Sequence, residues 1–331
     1  MSQYNFDRGY SLTIGLPPVT TITSKLVTEE EVIGLNLIPN EQDYRTVTLN
    51  AVEITESDIQ AIIPSKAGNA TQSTTISLYN LSDETLDIVE RVNNYVILKA
   101  GFLDNGSTDK MGIIFSGQVK EFSTRKEGTD TVTELVCGEG YIPNNTVRIS
   151  KAFPEGVTAD TIFKYFIKQY KEAGVPLGQY TAQAKDSEIV DFVQLRRPPE
   201  TEFPMGYSIN GYLVNELNRL CKSIGYVSYI VNGRLFIHPK SFTKVIERYT
   251  VSEDDIYSVR KTAKTTSTTN SKSDIGVAVK LPLDSRFNVD KQLEILDGKF
   301  KGVYKIESCS HVVNIRRGNF ETSLSCKQID A

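Results

Sequence analysis

The two histidines of this 331-residue chain, His238 and His311, are where acid–base, relay or metal chemistry would begin, because imidazole titrates nearest neutrality. His238 stands beside Pro239 at the end of an apolar run and His311 within an alternating one. Neither has a Cys, Asp or Glu at metal-ligand spacing. The four cysteines, Cys137, Cys221, Cys309 and Cys326, form no CxxC pair, and a chain of this length folds without disulfides. They are expected to be reduced, buried small hydrophobes. No nucleophile elbow, cysteine-protease signature or Gly-rich phosphate loop is present. Glu253-Asp254-Asp255 has the composition for glycoside cleavage, which needs an acid and a base flanking the bond. Its echo at Glu56-Ser57-Asp58 favours a structural turn instead. No catalytic residue, metal ligand or cofactor site is assigned, and the chain is not expected to be an enzyme.

Composition narrows the classes further. The length suggests two or three domains, and 39% hydrophobic residues suffice for real cores. Net charge is −4 with 37 basic and 41 acidic residues interspersed, so the concentrated basic surface of a duplex nucleic-acid binder is missing. Met1 to Gly15 has acid and polar residues where an export signal would place a basic region and an apolar run, so no such signal is expected. Apolar runs such as Val227 to Val231 fall far short of the ~20 residues that span a bilayer.

The elements that must position these residues repeat. Gly117 to Cys137 and Gly302 to Cys326 each open with Gly, place a Lys three residues on (Lys120, Lys305), reach a basic pair and a Gly, and close on Thr-x-Leu-x-Cys. Both read as β-hairpins with basic tips, Arg125-Lys126 and Arg316-Arg317. In the second, Phe320, Leu324 and Cys326 share one face of the closing strand, the period-2 pattern of a half-buried strand. Upstream, Glu56 to Ile59 is answered by Glu253 to Ile256, Thr75 to Ser82 by Ile275 to Leu283, and Tyr95 to Leu98 by Gln292 to Leu296. Four elements recurring in order indicate two copies of one β domain with an insertion between them.

The remaining segments are read in chain order. Leu12 to Leu16 and Val32 to Ile38 are short candidate strands in an N-terminal arm that could order against a neighbour. Pro64 to Ser73 and Asp104 to Lys110 read as loops, and Ser82 as a helix cap before Leu86 and Val89. In the middle, Thr158 caps a helix carrying Ile162, Phe163, Phe166, Ile167 and Tyr170, stopped at Gly174. A short strand is expected around Ile189 to Leu195. A second helix is expected over Ile209 to Ser223, ending at Gly225, then a hairpin turning at Asn232-Gly233. Lys261 to Asp274, with no apolar residue larger than Ala, reads as a flexible polar loop. The expected organisation is an arm (1–45), a first tube-like β domain (46–143), an inserted α+β domain (144–248) and a second tube-like β domain (249–331). The fold class is α+β, mostly β, with two duplicated antiparallel β-barrel domains.

This order, with GQVKEFSTRKEGTDTVTELVCGEG ending the first copy, FKGVYKIESCSHVVNIRRGNFETSLSC ending the second and GYLVNELNRLCKSIGYVSYIVNGRLFIHP in the insert, resembles the baseplate hub protein of tailed bacteriophages. The likeness spans roughly 46–328 and rests on spacing and texture rather than on an invariant signature. The polar 261–274 segment and the short Asp284 to Lys291 connection depart from it. What it implies is a structural virion protein of the viral tail, assembled in the host cytoplasm. It would be a homotrimer whose duplicated domains form a pseudo-sixfold ring, a symmetry adaptor between the hexameric tail tube and the trimeric central spike. Implied partners are further copies of the chain, the tail tube or tube-initiator protein, the central spike protein and other baseplate proteins, with no membrane and no sequence-specific nucleic acid. Under it Arg125, Lys126, Arg316 and Arg317 are candidate inter-ring contacts. The competing reading is a tail-tip enzyme or carbohydrate-binding component acting on the host surface, which would need a concave site in 144–248.

Overall fold

The computed structural model describes residues 7–15, 51–66, 72–103, 107, 111–175, 180–181, 189–190, 201–239, 247–265, 273–289, 291–316 and 318–329. Strands β1 (Arg8–Gly15), β2 (Ala51–Ile54), β3 (Ile59–Lys66) and β4 (Ser73–Tyr79) lead to helix α1 (Asp83–Val89). Next come β5 (Tyr95–Phe102), β6 (Gly112–Glu127), β7 (Asp130–Gly138) and α2 (Tyr141–Thr146). The middle holds β8 (Arg148–Phe153), β9 (Val157–Thr158), α3 (Ala159–Glu172), β10 (Tyr180–Thr181), β11 (Ile189–Val190) and β12 (Glu202–Phe203). It continues through β13 (Tyr207–Tyr212), α4 (Leu213–Ser223), β14 (Tyr226–Val231) and β15 (Arg234–Pro239). The last part holds β16 (Arg248–Val251), a 3₁₀ turn at Glu253–Asp255, β17 (Ser258–Thr265), β18 (Ser273–Pro282), β19 (Gln292–Ile295), β20 (Gly302–Asn314) and β21 (Glu321–Gln328).

The fold is α+β and mostly β, dominated by one large antiparallel sheet in the order β17-β18-β21-β20-β3-β4-β7-β6-β5-β1-β2, with β19 on β20 and the short β16 parallel to β19. Alternation selects the inner face: in β3, Ile59, Ala61 and Ile63 are buried while Gln60 and Ile62 are exposed. The pairing order recurs. β3·β4·β7·β6·β5 in the first half is matched by β17·β18·β21·β20·β19 in the second, every contact antiparallel. The hairpins even share a bulge: Val119 faces Cys137 and Ile306 faces Cys326, and in both the register shifts at the next residue. A side-chain link follows at the same register position, Thr124–Thr133 in one hairpin and His311–Thr322 in the other, each at 3.0 Å.

Among the described residues three large apolar clusters fill the interior, and a small fourth joins Tyr229 and Val231 to Val289. One gathers β1 and β3 to β7 around Leu12, Ile76, Phe115 and Leu135, and it also takes in Leu283, Val313 and Phe320 from the second half. Another packs α3 on α4 and the β14–β15 hairpin, around Phe166, Leu213 and Leu220, and the third lies under β18 to β21. β1 ties the first to the second half: Arg8 donates to the carbonyls of Asn314 (2.7 Å) and Gly318 (3.1 Å) and lies over the Phe320 ring, which packs edge-on against Phe102.

Several expectations change. Lys261–Thr265 is the end of β17, paired with Ser273–Val277, so part of the polar 261–274 segment is strand; threonine suits a pleated surface and the backbone finds a partner. The α4 helix begins at Leu213, because Ile209 to Tyr212 pair with β8 instead. Pro64 and Ser65 belong to β3, which reaches Lys66 along β20. Gly117 does not correspond to Gly302: the shared bulge sets Gly117 against Tyr304, two residues on. The expected strand at Val32 to Ile38, most of Asp104 to Lys110, the Ile189 to Leu195 strand beyond Val190, and residues 266–272 lie outside the described residues.

Candidate interaction surface

The residues that could do chemistry are built into the scaffold. His311 is buried; its Nδ1 lies 3.0 Å from Thr322 Oγ1 and its Nε2 3.5 Å from Cys309 Sγ, and burial lowers its pKa to about 4. It is a neutral core side chain. All four cysteines are free and buried, and burial pushes the thiols of Cys137 and Cys221 up to about 12 and those of Cys309 and Cys326 higher still. The acidic run Glu253–Asp255 forms a 3₁₀ turn capped by Asp297, whose carboxylate accepts from the Glu253 N–H (2.7 Å) and the Ser252 hydroxyl (2.9 Å). Those bonds lower the Asp297 pKa. Among the described residues no group of three or more His, Cys, Asp and Glu is placed to hold a metal, and no helix is long and apolar enough to cross a membrane.

One cleft runs between the sheet and the inserted unit, lined by Ser65, Lys66, Glu139, Asn144, Tyr170 and Tyr229. Its polar groups are largely committed. Tyr170 donates to Asn144 Oδ1 at 3.0 Å, and Glu139 Oε1 accepts the Asn232 N–H at 2.8 Å. The environment lifts the Glu139 carboxyl from 4.5 to about 8, burial outweighing the Asn232 bond. Glu139 follows β7 and Asn232 lies in the β14–β15 turn, so the bond fastens insert to sheet. Asn232 and Gly233 both take positive φ (50° and 71°), and a Cβ on Gly233 would lie 2.7 Å from the Tyr95 hydroxyl, itself 2.6 Å from Ser116 Oγ. The cleft is thus a docking seam holding one neutral-leaning carboxyl, and among the described residues no second acid or histidine lines it to act as a catalytic partner.

The tip of the β6–β7 hairpin is polar and exposed. From Glu121 to Glu127 every residue of β6 is exposed. Arg125 pairs with Glu134 at 3.3 Å and approaches Glu127 at 3.9 Å; Lys126, next along the strand, points to the opposite face. Arg316 forms an ion pair with Asp58 at the entry to β3, so the second tip is clasped onto the first half. Arg317 lies outside the described residues. The structure does not place the basic pairs at equivalent positions. Arg125 faces Val132 as Val312 faces Glu321, and Arg316 lies beyond Val312. Sequence reasoning missed Glu139, Arg8 and the exposed apolar residues Phe122 and Tyr257, whose roles come from pairings across the chain.

No protein-family model and no curated protein sequence matches this chain. Its backbone, in contrast, is similar to solved structures along nearly its full length. The tail protein of Neisseria meningitidis MC58 superposes with a TM-score of 0.55 at 9% identity, covering 97% of each chain. The 43 kDa tail protein of prophage MuSo2 from Shewanella oneidensis gives 0.52 at 10% identity over 83% of this chain and 93% of that one. A type VI secretion component of E. coli, described as structurally similar to the T4 bacteriophage tail proteins gp27 and gp5, gives 0.53 at 9% identity over 83% and 74%. The chain therefore has the fold shared by these tail proteins and the type VI secretion component.

Proposed function

We propose that this protein is the structural baseplate hub of a bacteriophage tail. Three copies form a pseudo-sixfold ring that joins a hexameric tail tube to a trimeric central spike. The observation that carries this reading is the recurrence of one pairing order, bulge included, in β3 to β7 and β17 to β21. Two similar units per chain give six similar positions in a trimer, which a sixfold partner can meet, while the chain itself keeps threefold symmetry for the other face. The tail-protein fold supports a place in the virion tail among other baseplate proteins. The insert, docked through the Asn232–Glu139 bond, would sit outside the ring.

In this reading the basic tips, Arg125 and Lys126 in one copy and Arg316 and Arg317 in the other, face the neighbouring ring. Arg125 and Arg316 are already engaged with acids of their own chain, so Lys126 is the cation expected to matter most there. Co-sedimentation of the purified chain with the tube protein of the same virion tests the assignment. Binding that weakens at least tenfold with Lys126→Glu supports it; no binding by the wild-type chain contradicts it.

A further inference from the structure

Among the described residues the repeat leaves two strand edges unpaired that are the counterparts of two edges paired inside the chain. β20 bonds β19 up to Lys305 and, past its bulge, bonds β3 from Ser308 to Asn314. β6 likewise bonds β5 up to Gln118, but past its own bulge, from Glu121 to Glu127, only β7 lies beside it among the described residues. β3 sits between β20 and β4, whereas among the described residues its counterpart β17 bonds β18 alone and ends the sheet. The contact missing from the pattern is β6 on β17, and the two do not pair within one chain.

Side chains mark the same two edges. Phe122 faces Leu135 as Cys309 faces Leu324; Cys309 is 2% exposed and Phe122 38%. Tyr257, just before Ser258 on Lys280, stands at Leu281 as Ile59 stands at Leu78; Ile59 is 1% exposed and Tyr257 57%. Large side chains are thus solvent-exposed at the positions that the internal junction covers. A long edge strand with unpaired N–H and C=O groups, flanked by exposed aromatic side chains, is a template for another strand.

We propose that β6 of one copy bonds antiparallel to β17 of a second copy in the register that β20 and β3 use within the chain. That register, carried over from Cys309–Ser65, Ser310–Pro64, Val312–Ile62 and Asn314–Gln60, sets Phe122 opposite Ala263, Ser123 opposite Thr262, Arg125 opposite Arg260 and Glu127 opposite Ser258. The like-charged pair is offset by Glu134 and Glu127 beside Arg125. Each copy uses one edge of each kind, so the contact is head-to-tail, the kind that closes rings. The proposal names the contact between neighbours in the ring and rests on that reading for its closure.

The test is disulfide trapping in the full-length chain carrying Ser123→Cys and Thr262→Cys, whose native cysteines are all buried. Oxidation is expected to link most chains through these positions, while a mixture of the two single variants stops at dimers. Ser123→Cys with Ser258→Cys, displaced about 13 Å along the strand, is out of disulfide reach and should leave the chains single. Arg125→Cys with Arg260→Cys samples the same register independently. A chain that stays trimeric in solution while both matched pairs fail to link overturns this contact and leaves the ring standing. A monomer that forms no links overturns both.

Discussion

At the residue scale the seam between sheet and insert decides most of what single substitutions will do. Gly233 meets two requirements at once, a φ of 71° and a Cβ that would lie 2.7 Å from the Tyr95 hydroxyl. Gly233→Ala should therefore cost about 1–3 kcal/mol in urea denaturation. Gly128→Ala, with φ of 64° and open space around it, should cost only about 1 kcal/mol. Glu139 gives the seam a pH dependence. Its folded pKa, about 8, lies above the unfolded 4.5, so the folded state binds that proton more tightly. The contribution is full below about pH 4.5 and is lost as pH rises through about 8. Glu139→Gln keeps an oxygen for the Asn232 N–H and should flatten the fall in melting temperature over that window; an unchanged slope would contradict the role. His311, lowered from 6.5 to about 4, acts in the opposite sense, its contribution lost as pH falls below about 6.5.

At the element scale, what was legible in the sequence is what local chemistry determines. Ser82 and Thr158 do cap their helices, accepting from the Thr85 and Thr161 N–H groups, and Gly174 and Gly225 follow those of the insert with positive φ. Thr158→Ala should cost about 1 kcal/mol, read as a lowered denaturation midpoint. The Asn232-Gly233 hairpin and the closing Thr-x-Leu-x-Cys strands also fall where alternation and turn chemistry put them. The Gly and Lys that open the two hairpins misled, because differing loop and bulge spacing separates matched letters from matched positions. The candidate site was less legible still. Glu139 is buried where a hairpin from far along the chain meets the sheet, and Arg8 finds its carbonyl partners at Asn314 and Gly318. Arg8→Ala should lower stability by about 1–3 kcal/mol, since charge-assisted bonds and a ring contact go together. Arg8→Lys should recover part of that loss, both read in the same denaturation series.

At the scale of the whole molecule, a sheet that carries the same pairing order twice and ends in complementary edges is physically incomplete alone. One internal junction, β20 on β3, is satisfied by Val313 and Phe320 entering the first core. Its counterpart has no partner within the described chain. Under the proposed function, closure by further copies would remove the open edges and give a ring whose six similar units meet one neighbour and whose three chains meet another. The most direct test is the solution mass of the purified chain by light scattering, with negative-stain images of the same fraction. The account predicts three times the 36.9 kDa chain mass and a ring of six similar lobes around an opening. A chain that stays at 36.9 kDa at every concentration, with no ring in the images, would contradict it.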